Sequence, residues 1–156
     1  MDAAAQRFFL SPYFAVAGAS QDTNKFGYKV LDWYTTHSLP ATPLNPKTPF
    51  ITLHSNNQSI PTVPSVSSLP HPSETGLSII TPPAVTKKIL QDAKDMGITA
   101  VWLQPGTFDD EVMAFAQESF ESVVGGDEEG TVGGEGWCVL VDGGRYLRGR
   151  KKGGNL

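Results

Sequence analysis

FAVAGASQDTNKFG, residues 14–27, is the stretch that decides the fold. A short apolar run reaches Gly18, a polar loop follows, and from Phe26 apolar side chains return at three- and four-residue spacing. The run suits a buried parallel strand. Phe26, Val30, Trp33, Tyr34 and His37 then mark one face of a helix, with Thr23 or Asn24 as candidate N-cap. Strand, small-residue turn and helix in that order open a nucleotide-binding type of α/β unit. The turn departs from the dinucleotide fingerprint G-x-G-x-x-G, because it has one glycine and the next comes only at Gly27.

Working outward, the same alternation continues. Residues 41–45 predict a second strand, stopped by Pro46. Residues 46–75, rich in Pro, Ser, Thr and Asn, predict an irregular connection with one helical turn near 66–69. Residues 77–81 predict a third strand. A helix starts at Pro82-Pro83, where proline is favourable at the first position, buries Val85, Ile89, Ala93 and Met96, and stops at Gly97. Residues 99–103 predict a fourth strand. Asp109, Asp110 and Glu111 read as the acidic start of a helix that buries Val112, Phe115, Ala116, Ser119 and Phe120, since the helix dipole favours negative charge there. A glycine- and acid-rich loop is expected at 125–136 and a fifth strand at 137–141. The predicted fold is therefore α/β: a doubly wound, mostly parallel five-stranded Rossmann-like sheet with helices on both faces.

At 156 residues the chain suits one domain, expected over residues 1–142 and followed by a basic, flexible tail at 143–156. The net charge of −4 conceals a segregation: 109–141 carries nine acids and no base, whereas 142–156 holds five Lys/Arg against Asp142 alone. The basic end reads as a solvated terminus rather than a nuclear-import patch. With no basic stripe interleaved with aromatics, nucleic acid is not the expected partner. No apolar run reaches the roughly 20 residues of a membrane span. Asp2, Arg7 and Pro12 interrupt what would otherwise resemble a secretory leader, so a cytoplasmic protein is expected. The lone Cys138 excludes an internal disulfide and any multi-cysteine metal site.

In doubly wound sheets ligands sit outside the carboxyl ends of the strands, at the switch in strand order. The candidate site residues are those just after each strand: Gly18, Ala19 and Ser20; Asn45, Pro46 and Lys47; Thr81, Pro82 and Pro83; Gln104, Pro105 and Gly106. The first turn offers backbone N–H groups and a helix N-terminus to an anion, with Lys25 close by. An NAD site places an acid after the second strand to bind the ribose hydroxyls. Here that position reads Asn45-Pro46-Lys47, and a lysine attracts a phosphorylated ribose instead. NADP and coenzyme A both carry one. Thr81-Pro82-Pro83 offers an apolar wall poor in donors.

The ordered segments VAGAS…KFGYKV, PLNPK, IPTVPSVSSLP, IITPP, VWLQPG and WCVLVD resemble the stand-alone CoA-binding domain family, over residues 14–141. That family is related to the N-terminal nucleotide domain of succinyl-CoA synthetase alpha subunits. The resemblance implies that Gly18, Ala19 and Ser20 hold the pyrophosphate, with Lys25 near. It implies Lys47 at the ribose phosphate, Thr81 to Pro83 along the adenosine or the pantetheine arm, and Gln104 to Gly106 as the far wall. The chain departs from the family in having Trp137 before Cys138, where an arginine is common, and in longer connections near 52–59 and 125–136.

His37, His54 and His71 lack metal-ligand spacing, and no serine sits in a nucleophile elbow. Neither catalytic nor metal-binding residues are therefore nominated. Cys138 reads as an inert small hydrophobe on a buried strand, with a mixed disulfide to the coenzyme A thiol as the competing reading. The leading expectation is non-catalytic binding of coenzyme A or an acyl-CoA, as a carrier, sensor or module for a protein partner yet to be identified. The alternatives are an NADP-dependent oxidoreductase and a ligand-free interaction module.

Overall fold

The computed structural model describes residues 2–126 and 136–147. In chain order the elements are α1 (Asp2–Phe9), β1 (Tyr13–Ala17), α2 (Phe26–Thr36), β2 (Ala41–Leu44), β3 (Phe50–Leu53) and β4 (Gln58–Pro61). They continue with β5 (Thr75–Ile79), α3 (Pro83–Asp95), β6 (Ala100–Leu103), α4 (Asp110–Ser119), β7 (Ser122–Val124) and α5 (Val139–Asp142). Among the described residues the main sheet has five strands in the order β2-β1-β5-β6-β7, and each neighbouring pair is parallel. β1 leads through α2 to β2 on one side, while the chain returns to β5 on the other. The switch in strand order therefore lies between β1 and β5.

Successive side chains of a strand face opposite sides of the sheet, so two cores form. Phe14, Val16 and Trp102 face α1, α2 and α5; Ala15, Ala17, Leu77, Ile79, Val101 and Leu103 face α3 and α4. The first core is aromatic: Phe8 and Phe9 sit edge-on to Trp102 at 5.6 and 5.7 Å, Phe14 stacks on Tyr34 at 5.0 Å, and Trp102 meets Trp137 at 6.0 Å. β5 makes room for these rings with small residues. A Cβ at Gly76 would lie 3.1 Å from the Phe8 ring and 3.2 Å from Phe14. Ser78 contributes a hydroxyl 2.6 Å from that of buried Tyr34. Burial pushes the Tyr34 hydroxyl pKa up, so the phenol stays protonated.

Several expectations are corrected. Residues 137–141 do not form the fifth strand. The edge beside β6 is taken by β7, and 139–142 is a helical turn set by side-chain hydrogen bonds: the Cys138 N–H donates to Asp142 Oδ2 at 3.0 Å and the Val139 N–H to Gln104 Oε1 at 2.8 Å. The irregular connection does contain a 3-10 turn at Val66–Ser68, but it also holds an antiparallel hairpin, β3–β4, turning through Asn57 at φ 55°. α1 was not foreseen. Its Ala5, Phe8 and Phe9 are fully buried, so the apolar start of the chain belongs to the core.

The N-cap of α2 is Lys25, not Thr23 or Asn24, and Phe26 is 56 % exposed rather than buried. On α3 the buried residues are Thr86, Leu90 and Ala93, and Val85 is 48 % exposed. The α3 helix is rotated because the Thr86 hydroxyl turns inward to donate to the Thr81 carbonyl at 2.9 Å. The acidic start of α4 matches the expectation, with the Asp109 carboxylate accepting from the Val112 N–H at 2.8 Å.

The residues expected to begin a flexible tail, Gly143–Tyr146, form a 3-10 turn. There Tyr146 is buried and its hydroxyl donates to Asp2. The glycine- and acid-rich loop over 127–135 and the basic end over 148–156 lie outside the described residues. No helix among the described residues is long and apolar enough to cross a membrane.

Candidate functional site

The turns after β1, β2, β5 and β6 meet at one end of the sheet, held by hydrogen bonds that prolong the ladder. The Ile80 N–H donates to the Ala17 carbonyl at 3.0 Å and the Gln104 N–H to Ile79 at 3.2 Å. Gly18 leaves β1 with φ +92°, a conformation natural to glycine. A Cβ there would also press to 3.1 Å on the Thr81 methyl. Gly27 permits the closest approach in this region, since a Cβ on it would stand 2.0 Å from the Gly18 carbonyl oxygen. It therefore does the packing work of the last glycine in the dinucleotide fingerprint, although it lies nine residues beyond Gly18.

Asn45 braces the turn after β1 against the turn after β2. Its Nδ2 donates to the Ala19 carbonyl at 3.0 Å, and its Oδ1 accepts from the N–H groups of Lys47 at 2.8 Å and Thr48 at 3.1 Å. Only a carboxamide meets both demands, because an aspartate could not donate to a carbonyl. Asparagine at this position is thus a strut. It fixes the backbone of Lys47 and leaves the ammonium group free to face the cleft.

A cleft of about 580 Å³ opens between these turns and α3. Gly18, Ala19, Asn45, Pro46 and Lys47 line it from one side and Thr81, Val85, Lys88 and Asp92 from the other. Pro64, Ser65 and Val66 reach it because the chain returns beside β2, with the Asn45 N–H donating to the Val63 carbonyl at 3.0 Å. A second cleft of about 520 Å³ lies across Thr81, toward β6 and α5. Phe26, Ile80, Pro82, Gln104, Pro105, Gly106, Cys138, Leu140 and Val141 line it, and its walls are mostly apolar.

Thr81 belongs to both clefts. Its hydroxyl lies 2.8 Å from that of Thr86, whose proton already goes to the Thr81 carbonyl. Thr81 must therefore donate to Thr86, and it offers a ligand only lone pairs and a methyl group.

Gln104 is buried and acts as a second brace. Its Oε1 accepts from the Val139 N–H, and its Nε2 donates to the Cys138 sulfur at 3.2 Å. These bonds hold α5 in place, and Gln104 lines the cleft together with the Pro105-Gly106 turn. Cys138 is not on a buried strand; it is half-buried at the wall of the second cleft.

Of the residues nominated from sequence, ten line one or both clefts. Pro83, Ser20 and Lys25 do not. Pro83 starts α3; Ser20 Oγ accepts from the Asp22 N–H at 3.0 Å; Lys25 caps α2 with its backbone. The loop that carries Ser20 leans onto the hairpin instead, where the Gln21 carboxamide exchanges two 2.8 Å hydrogen bonds with the backbone of Thr52. Lys88, Asp92 and Phe26 were missed as site residues. The signal for Lys88 was available: it lies one helical turn beyond Ala84, on the side of α3 that Val85 leaves exposed.

The histidines stand apart from both linings. His37 Nδ1 bonds the Trp33 carbonyl at 2.7 Å, His54 packs near Tyr28, and His71 stacks on Tyr13 at 4.6 Å. No cluster of His, Cys, Asp and Glu among the described residues could hold a metal ion.

With this geometry in place, comparison with known proteins gives a family and a fold. The family model described as CoA binding domain matches residues 13–128. No curated protein matches the chain. Among solved structures, a hypothetical protein from Pyrococcus horikoshii is similar at 22 % identity and TM-score 0.68, covering 80 % of this chain and 83 % of its own. A conserved hypothetical protein from Pyrococcus furiosus shows 24 % identity and TM-score 0.63, covering 71 % and 90 %. A protein from Thermus thermophilus shows 24 % identity and TM-score 0.63, covering 76 % and 86 %. At these identities the structural likenesses speak to the shared fold.

Proposed function

We propose that this chain, which belongs to the CoA-binding domain family, binds coenzyme A or an acyl-CoA without chemical turnover. It would serve in the cytoplasm as a carrier, a sensor or a module read by a protein partner. One observation carries the reading: two clefts share Thr81 as their border, and charged side chains line only the first. The first combines the small-residue turn after β1 with Lys47, and the second is lined by uncharged residues alone. A ligand with a phosphorylated nucleotide at one end and a less polar thiol-bearing arm at the other matches that sequence of environments.

In this assignment the Gly18–Ala19 turn and the N-terminus of α2 receive the pyrophosphate, through backbone N–H groups and the positive end of the helix dipole. Lys47 receives the ribose phosphate as a point charge. Thr81 and Pro82, which present a methyl group and a ring rather than donors, lie along the arm. The arm ends in the second cleft, beside Cys138. Ser20 and Lys25 support the turn from outside. The placement of the three histidines away from both clefts, each engaged with an aromatic neighbour, supports binding without acid–base catalysis.

Titration calorimetry of the full chain with coenzyme A, dephospho-coenzyme A and NADP tests the proposal. Coenzyme A is expected to bind most tightly, with dephospho-coenzyme A weaker by about tenfold, the usual value of one charge-assisted contact. Tighter binding of NADP would favour the oxidoreductase reading. Heat from none of the three would favour a ligand-free interaction module.

A further inference from the structure

Lys88 is the feature of the first cleft that the reading above leaves unused. It projects from α3 into the same lining as Lys47, which comes from the opposite wall after β2. Neither ammonium group belongs to an ion pair among the described residues. The neighbouring lysine on the helix behaves differently: Lys87 is bonded to Glu111 on α4, which raises its pKa, and it does not line the cleft. Two adjacent lysines thus have separate roles, one fastening α3 to α4 and the other facing the ligand space.

Asp92 follows Lys88 by four residues on the same face of α3 and also lines the cleft. The lining therefore carries two cations and one carboxylate. A singly charged phosphodiester has no need of two ammonium groups. A terminal phosphomonoester bears nearly two negative charges at neutral pH, and two point charges on opposite walls suit it.

We infer that Lys88 is a specificity-determining residue that closes with Lys47 on the terminal phosphomonoester of the ligand's ribose, and that Asp92 opposes it. The inference rests on the coenzyme A reading and adds a residue and a direction to it. Lys47 comes from a short turn fixed by Asn45, whereas Lys88 stands on a helix, so the pair measures the position of the phosphate from two independent elements. Asp92 lowers the affinity of the cleft for anions in general, so that only a group reaching both lysines overcomes it.

The experiment compares binding of coenzyme A and dephospho-coenzyme A by the full-length protein and its Lys88→Gln, Lys47→Gln, Lys87→Gln and Asp92→Asn variants. Lys88→Gln and Lys47→Gln should each weaken coenzyme A by about five- to tenfold and leave dephospho-coenzyme A within about twofold, as expected for loss of one charge-assisted contact. The double variant should bind both ligands alike. Lys88→Arg should retain the discrimination, Lys87→Gln should change neither affinity, and Asp92→Asn should strengthen coenzyme A by a few-fold. The inference is overturned if Lys88→Gln weakens both ligands equally or neither while the wild type still prefers coenzyme A; the coenzyme A reading would then stand with Lys47 alone. If the wild type binds neither ligand, the coenzyme A reading fails and this inference with it.

Discussion

Each of the two clefts is braced by a single carboxamide, and the two braces differ in reach. Asn45 ties together turns that follow adjacent strands, bonding Ala19, Lys47 and Thr48. Gln104 bonds Cys138 and Val139, more than thirty residues further along the chain. The first brace is half-exposed and sets turns that form a cleft with α3; the second is buried and holds a segment beyond the main sheet. The first cleft is therefore complete by Asp92, whereas the second depends on residues 136–141 folding back onto Gln104. Three substitutions probe this contrast, and a fourth tests the pH dependence of the fold.

The largest effect is expected at Gly27. A methyl group there would meet the Gly18 carbonyl oxygen at 2.0 Å, and backbone on both sides leaves little room to yield. Gly27→Ala should destabilise the protein by about 3 kcal/mol and abolish binding of adenosine 3′,5′-bisphosphate, which lacks the arm. Urea unfolding and calorimetry would measure the two effects. Unchanged binding would show that the close approach of α2 to the turn does not shape the first cleft.

Gln104→Ala comes next. It leaves the buried Val139 N–H without its acceptor, which costs about 2 kcal/mol. The variant should bind adenosine 3′,5′-bisphosphate normally while losing the added affinity of the pantetheine arm. Equal losses for both ligands would erase the distinction between the clefts.

Asn45→Asp should cost less in stability, about 1 kcal/mol, because water can reach the site. It should cost more in affinity, since the new carboxylate faces both the Ala19 carbonyl and the incoming phosphate. A drop of about tenfold for the bisphosphate, with the melting temperature little changed, would separate this brace from the buried one.

The smallest effect concerns pH. Burial, and then the hydrogen bond to Asp2, push the Tyr146 hydroxyl from 10.0 up to about 12. Its folded-state pKa lies above the unfolded one, so the contribution is fully present below pH 10 and is lost as pH rises from 10 to 12. Tyr34 adds a loss of the same sign that extends to higher pH. Tyr146→Phe should reduce the slope of stability against pH in that window without removing it. An unaltered slope would show that the clasp between the end of the chain's described part and α1 does not contribute.

The sequence was legible where local chemistry decides the outcome. β1, β2, β5 and β6 are short, mostly apolar or β-branched runs followed within three residues by Gly, Asn or Pro, and α4 announces itself with Asp109. Residues nominated at each strand end, Lys47 among them, line the two clefts. Legibility failed where a distant partner decides. Residues 137–141, WCVLV, have the composition of a buried strand, and a short apolar run cannot be told from a helical turn by periodicity. Gln104 and Asp142 made the choice. The three residues of β7 are too short to show a period. The hairpin lay hidden in a Pro- and Ser-rich stretch, although the paired asparagines at 56 and 57 are a turn signal. Phe26 and Val85 looked like core because they keep helical spacing, yet each is exposed and lines a cleft.

The most direct measurement is a crystal structure of the chain grown with coenzyme A. The account predicts the adenosine and its ribose phosphate in the first cleft, with the ammonium groups of Lys47 and Lys88 turned toward the phosphate, and the arm passing Thr81 to end beside Cys138. An empty crevice with both lysines turned to solvent, or the ligand bound in the opposite direction, would contradict it.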